Sequence, residues 1–160
     1  MSRALRIAGG FLIAAVIAAG CSSDSTNNTD TTRELFPDLT ARTITVGTTS
    51  LRVVVVATEE TRRQGFRGRT TFGRYAGMLF EYSEPVATGF TMSGFTMSGV
   101  PVALDIGFYD EGGNLVDQLS MTPCAGSDTE CPVYRSAKPF RYALETLTGE
   151  LPTGSLRLNK

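Results

Sequence analysis

Two carboxylates stand where the surrounding residues are apolar. Asp105 lies inside Val102-Ala103-Leu104-Asp105-Ile106-Gly107-Phe108, and Glu145 follows Tyr142-Ala143-Leu144. Brought to one cleft, such a pair could serve as general acid and base in a carboxylate-based hydrolase or lyase. The structural alternative stays beside it: each carboxylate neutralised inside the fold by an arginine such as Arg62 or Arg69, or by backbone N–H groups. The 160 residues contain no histidine, which excludes Ser-His-Asp and Cys-His catalysis and removes the commonest transition-metal ligand. No nucleophile motif is recognisable. The expectation is a non-catalytic module that binds a ligand, a polymer or a partner, with no cofactor and no metal. Catalysis by Asp105 and Glu145, or a structural place in an envelope assembly, are the alternatives.

Basic side chains concentrate in one stretch: Arg62, Arg63, Arg67, Arg69 and Arg74. Guanidinium groups bind phosphate or carboxylate in bidentate fashion, so this stretch could hold an anionic small molecule or an acidic envelope polymer. Charge complementation at a helix end and a solvated face would account for the same residues. Arg62 and Arg69 are the ligand-binding candidates, with Tyr134 as a possible part of the surface. Tyr134 and Tyr142 could equally pack at sheet edges. Arg69 could instead hold a loop by bonding backbone carbonyls.

The chain opens with a basic start (Arg3, Arg6) and an apolar run from Ile7 to Ala19, the pattern of a secretory signal. Ala18-Ala19-Gly20-Cys21 resembles the lipobox of bacterial lipoproteins, where the cysteine is acylated and becomes the first residue. The reading is therefore a signal peptide over residues 1–20, lipid on Cys21, a polar tether over residues 21–42 and a globular domain over residues 43–160. Ser22 to Thr32 has no apolar side chain and cannot offset its ordering entropy. As a coil the tether reaches on the order of 25 Å. Leu35-Phe36-Pro37 either docks on the domain or belongs to the tether. The 15 basic and 16 acidic residues, less Arg3 and Arg6, leave a net charge near −3, and nothing suggests nucleic acid. The expected location is extracytoplasmic, held to a bacterial membrane by lipid. In that oxidising compartment Cys124 and Cys131 read first as a disulfide, adding roughly 2–3 kcal/mol in the chain-entropy model. A reduced pair or a metal site are the other options, the latter short of ligands.

The elements that must position these groups are short. Thr43-Ile44-Thr45-Val46 alternates like a strand, Gly47 to Ser50 turns, and Leu51 to Ala57 is a strand rich in β-branched residues. Thr58 can cap a short helix with Glu59 and Glu60 in its first turn, Arg62 and Arg63 near its end, and Gly65 closing it. Strands are expected at Gly77 to Tyr82, around Phe95-Met97, at Val102 to Tyr109, at Leu115 to Met121 and at Leu156-Leu158. Pro85 marks a turn, and Phe140 to Leu147 is a strand or a short helix. The fold class is α+β, mostly β: one small domain of six to eight short, largely antiparallel strands in a partly closed barrel or sandwich, with one or two short helices. Phe90-Thr91-Met92-Ser93-Gly94 is repeated at once as Phe95-Thr96-Met97-Ser98-Gly99. In a regular strand an odd period would put Phe90 and Phe95 on opposite faces, so one copy should pair in the sheet and the other lengthen a loop.

Several motifs in order resemble the domain of unknown function 192 family. They are Ala57-Thr58, Arg62, Gly65-Phe66 and Arg69; Gly77-Met78-Leu79-Phe80; Phe95, Met97, Pro101, Leu104-Asp105-Ile106, Phe108 and Asp110; and Cys131 to Tyr134, Tyr142-Ala143-Leu144-Glu145 and Gly149. The resemblance runs from Val53 to about Gly154. It implies a fold and a location class more than an activity. The chain departs from the family pattern at four positions: its tryptophan, lysine and asparagine positions hold Thr96, Ser98 and Gly99, and Arg67 adds a charge after Gly65-Phe66. Only the second pentapeptide copy runs without a gap into Leu104-Asp105, which makes the first copy the insertion.

Overall fold

The computed structural model describes residues 35–88 and 94–159. The signal segment, Cys21, the tether through residue 34 and the first pentapeptide copy up to Ser93 lie outside them. Among the described residues nine strands form, β1 Thr40–Val46, β2 Thr49–Val56, β3 Gly77–Val86, β4 Phe95–Thr96, β5 Leu104–Tyr109, β6 Leu115–Met121, β7 Val133–Tyr134, β8 Phe140–Leu147 and β9 Leu156–Leu158, and the helix α1 spans Glu59–Gln64. Seven strands make one sheet in the order β6-β5-β8-β3-β2-β1-β9, and β4 pairs with β7 separately. Every pairing is antiparallel except β2 with β3. That parallel pair needs a crossover. The crossover consists of α1 and the loop behind it, laid over one face of the sheet.

The run Val53-Val54-Val55-Val56 is buried on both sides because both faces of β2 are covered. Val54, Val56, Met78, Phe80, Ile106, Phe108 and Ala143 face the larger core, with Phe66 and Phe72 of the crossover, Phe95 of β4 and Phe36. Phe36 is only 4% exposed, so the segment before β1 docks on the domain. Val53, Val55, Leu79, Leu144 and Tyr109 face a smaller core with Ile44, Val46 and Leu156. The sheet curls until its ends meet. Leu156 of β9 donates from its backbone N–H to the carbonyl of Gly113 in the β5–β6 loop at 2.7 Å. Gly113 takes φ +77°, and a Cβ there would lie 2.0 Å from the Leu156 carbonyl oxygen, so only glycine permits this closure. The domain is mostly β, as expected, and of the expected partly closed barrel or sandwich it takes the form of a curled half-barrel, with nine strands rather than six to eight among the described residues.

Two expectations are adjusted. Phe140–Leu147 is a strand, central in the sheet between β3 and β5. β3 runs through Pro85 to Val86 rather than turning there, because its register with β8 breaks between Glu81 and Val86, where a residue without an N–H costs nothing. The second pentapeptide copy supplies β4. Phe95 pairs with Tyr134 and Thr96 with Val133, and Met97 is 1% exposed.

Candidate functional site

A cleft of about 430 Å³ opens between α1 with its following loop, β4, and the larger-core face of the sheet. Its volume lies within the range of small-ligand sites. One wall is α1, which buries no residue of its own. The helix is held by polar bonds instead. Thr58 and Thr61 exchange side-chain and backbone bonds in a capping box, and Gly65 at φ +47° closes the last turn on the Thr61 carbonyl at 3.0 Å.

Arg62 ties this helix to the sheet. Its Nη1 donates to the carbonyls of Ala57 and, at 3.0 Å, of Glu81, while its guanidinium lies 4.5 Å from the centroid of the Tyr82 ring. Its Nε and Nη2 have no acceptor among the described residues. Arg63 pairs with Glu59 one turn earlier at 2.6 Å, both side chains largely exposed. Arg67 leaves the helix end and reaches across the cleft. Its Nη1 donates to the Ser98 carbonyl at 2.8 Å, and its Nη2 to Thr96 Oγ1 and to Asp128. The hydrogen bonds from Arg67 and Thr96 hold the Asp128 carboxyl below the usual carboxylate range. Gly68 N–H donates to the Gly99 carbonyl at 2.8 Å. Arg67, Thr96, Ser98 and Gly99 therefore meet in one network at the cleft rim.

The disulfide Cys124–Cys131 carries the opposite rim. The Cys124 carbonyl accepts from Gly99 N–H at 3.2 Å, and the bridged loop presents Asp128 to Arg67. Phe80 and Phe95, edge to face at 4.9 Å, line the interior with Tyr82 and Val100. Burial, against the pull of Arg62, pushes the Tyr82 hydroxyl up to about 12, with Glu145 adding to the rise.

Glu145 forms the floor. It sits on β8 opposite Met78 of β3 and Ile106 of β5, and it is 5% exposed. Its carboxyl lines the cleft and has no hydrogen-bond partner among the described residues. Burial pushes it up to about 8, so it is mostly uncharged at neutral pH. Asp105 pairs with Thr146, one position along β8, and so points to the other face of the sheet. There it accepts from Ser120 Oγ at 2.7 Å and from Gly149 N–H at 2.7 Å, beside a shallow hollow of about 170 Å³. The sheet itself separates the two carboxylates. They cannot form the acid–base pair that a carboxylate hydrolase or lyase would need, and among the described residues neither is paired with an arginine.

The other candidates divide. Arg62 lines the cleft, together with Arg63 and Arg67, while Arg69 does not. Arg69 donates to the carbonyls of Leu35 at 2.9 Å, Arg67 at 3.1 Å and Gly65 at 3.3 Å and lies over the Phe36 ring, so it fastens the segment before β1 to the crossover loop. Desolvation lowers its pKa. Arg74 lies over the Tyr75 ring, away from the cleft. The Tyr134 hydroxyl bonds Thr122, the residue after β6, and Tyr134 does not line the cleft. Among the described residues no group of three or more acidic, cysteine or histidine side chains is placed to hold a metal ion. Asp128 is the cleft residue the sequence does not single out: 61 positions of chain separate it from Arg67, and only the fold brings the two together.

A family model, DUF192, described as uncharacterized ACR, matches residues 42–157. No curated protein matches the chain. Two solved structures share its fold at 19% identity. One is a protein from Sinorhizobium meliloti named as a candidate transcription regulator, with TM-score 0.60, covering 74% of this chain and 94% of that one. The other is a protein of unknown function from Novosphingobium aromaticivorans, with TM-score 0.54, covering 74% and 84%.

Proposed function

The chain belongs to the uncharacterised DUF192 family, and from that premise we propose that it is an extracytoplasmic, lipid-anchored binding module whose cleft takes a small anionic ligand or the acidic end of an envelope polymer. The observation that carries the reading is the cleft between α1 and β4. Three guanidinium groups line it, and two of them are balanced by Glu59 and Asp128. Arg62 is not balanced: its bonds go to uncharged carbonyls, and its Nε and Nη2 remain for an incoming carboxylate or phosphate. With Glu145 uncharged on the floor, the cleft carries a net positive charge. The anchor rests on the signal-like residues 1–20, on Cys21 and on the polar tether, which would give the domain reach from the membrane.

The test is capture of small molecules from a bacterial envelope extract by the purified full-length chain, read by mass spectrometry. An anionic compound should be retained by the wild type and lost by Arg62→Ala. Equal retention by both proteins, with the circular dichroism spectrum unchanged, would refute the assignment.

A further inference from the structure

The floor of the cleft is the least explained part of the molecule. A carboxyl on a central strand, among Met78, Ile106, Phe80 and Phe95, keeps only its narrow opening to the cleft, 5% of the residue's surface, and bonds none of the described residues. Such a group costs free energy unless something completes its hydrogen bonding. Polar side chains buried without partners are uncommon in folded proteins and call for an explanation. Here the carboxyl opens onto a cavity of ligand size, and the missing partner can come through it.

We propose that Glu145 is the inner recognition group of the cleft and that it selects carboxylate ligands carrying a carbonyl or hydroxyl oxygen at the end remote from the charge. The inference rests on the anion-binding reading of Arg62. It adds a second polar contact, an apolar span between the two, and therefore a ligand class: short oxo- or hydroxy-carboxylates. Their charged end would meet Arg62 near Tyr82, their methylenes would lie against Phe80 and Phe95, and their neutral oxygen would accept from the Glu145 carboxyl.

Charge decides between this class and an amine. The titratable groups lining the cleft are Glu59, Arg62 and Arg63 of α1, Arg67 behind it, Tyr82 of β3 and Asp128 of the disulfide loop. β5 turns only Leu104, Ile106 and Phe108 to this face. An ammonium group would have to pass three guanidinium groups and then form an ion pair away from water, where desolvation can exceed the Coulombic gain. A neutral oxygen meets neither cost. Burial has already disfavoured the ionised carboxyl, so the donor the ligand needs is present before it arrives.

The experiment titrates the purified full-length chain with three matched series of five to nine carbons: terminal-methyl oxo-acids such as 4-oxopentanoate, the unsubstituted alkanoates, and the ω-amino acids. At pH 6.5 the best oxo-acid should bind about tenfold tighter than the alkanoate of its length, the usual discrimination when a buried polar group is satisfied rather than left bare. That advantage should fade by pH 9.5 in the wild type, persist at both pH values in Glu145→Gln, and vanish in Glu145→Leu. If oxo-acids and alkanoates bind equally, and Arg62→Ala abolishes both, the anion site stands and the role of Glu145 is overturned. Tightest binding by the amino acids, strengthening with pH, overturns the ligand class. No binding by any series overturns this inference together with the Arg62 reading beneath it.

Discussion

Replacing Glu145 by glutamine should stabilise the protein, and only above a certain pH. In the fold, burial pushes the Glu145 carboxyl up to about 8, whereas an unfolded chain ionises at about 4.3. Between these values the unfolded state has released a proton that the folded state still holds. Stability then falls with rising pH by about 1.4 kcal/mol per unit. The contribution is complete below the unfolded value and is lost as pH rises through the folded one. Taken at face value the loss by pH 8 is about 5 kcal/mol, and solvent reaching the carboxyl through the cleft reduces this to the order of 3 kcal/mol. Glutamine has nearly the same shape and carries no titrating proton. The two proteins should therefore melt within about 2 °C of each other at pH 5. At pH 8 to 9 the variant should melt roughly 10 °C higher, at the few degrees per kcal/mol expected for a domain of this size. The other shifted acids stay out of this window: Asp110, Asp128 and Glu130 are lowered, and Tyr82 and Tyr109 are raised to about 12. Calorimetric melts at unit steps from pH 5 to 9 give the answer. Parallel pH profiles for wild type and variant would refute the reasoning.

Three further outcomes follow from particular contacts. Replacing Cys124 and Cys131 together by serine should cost about 2–3 kcal/mol in denaturant unfolding, as expected for a short closed loop, and should release Asp128 from Arg67; an unchanged midpoint would contradict it. Gly77→Ala places a Cβ 2.2 Å from the Glu145 carbonyl oxygen, where β3 and β8 pack backbone to backbone, and should destabilise by roughly 2 kcal/mol or more; a loss under about 0.5 kcal/mol would show that the strands can separate there without cost. Mass spectrometry of the mature N-terminus should find a diacylglyceryl-modified Cys21, and an unmodified start at another residue would remove the anchor from the account.

What the sequence made legible were features fixed by neighbours along the chain. Thr58, the acidic pair Glu59-Glu60 and Gly65 bracket α1 by local capping rules, and the valine run of β2 could hardly be anything but a buried strand. The bridge between Cys124 and Cys131 followed from their spacing and from the oxidising compartment that the signal-like start implies. The site was less legible because register assembles it. Asp105 and Glu145 look alike in sequence, each a carboxylate among apolar residues, and only the pairing of Asp105 with Thr146 rather than Glu145 puts them on opposite faces. Arg62 and Arg69 look alike as well, yet one lines the cleft and the other is used up on backbone carbonyls. β7, two residues long, gives no periodic signal and exists through its pairing with β4.

The claim that this cleft is a binding site is met most directly by following its own atoms during a titration. With arginine labelled with nitrogen-15 and glutamate with carbon-13 at the carboxyl, the Arg62 guanidinium and Glu145 carboxyl signals should shift together and saturate as an oxo-carboxylate is added, while the Asp105 carboxyl, labelled in a separate sample, stays still. Arg62 and Glu145 signals that do not move, or that move no more than Asp105, would contradict it.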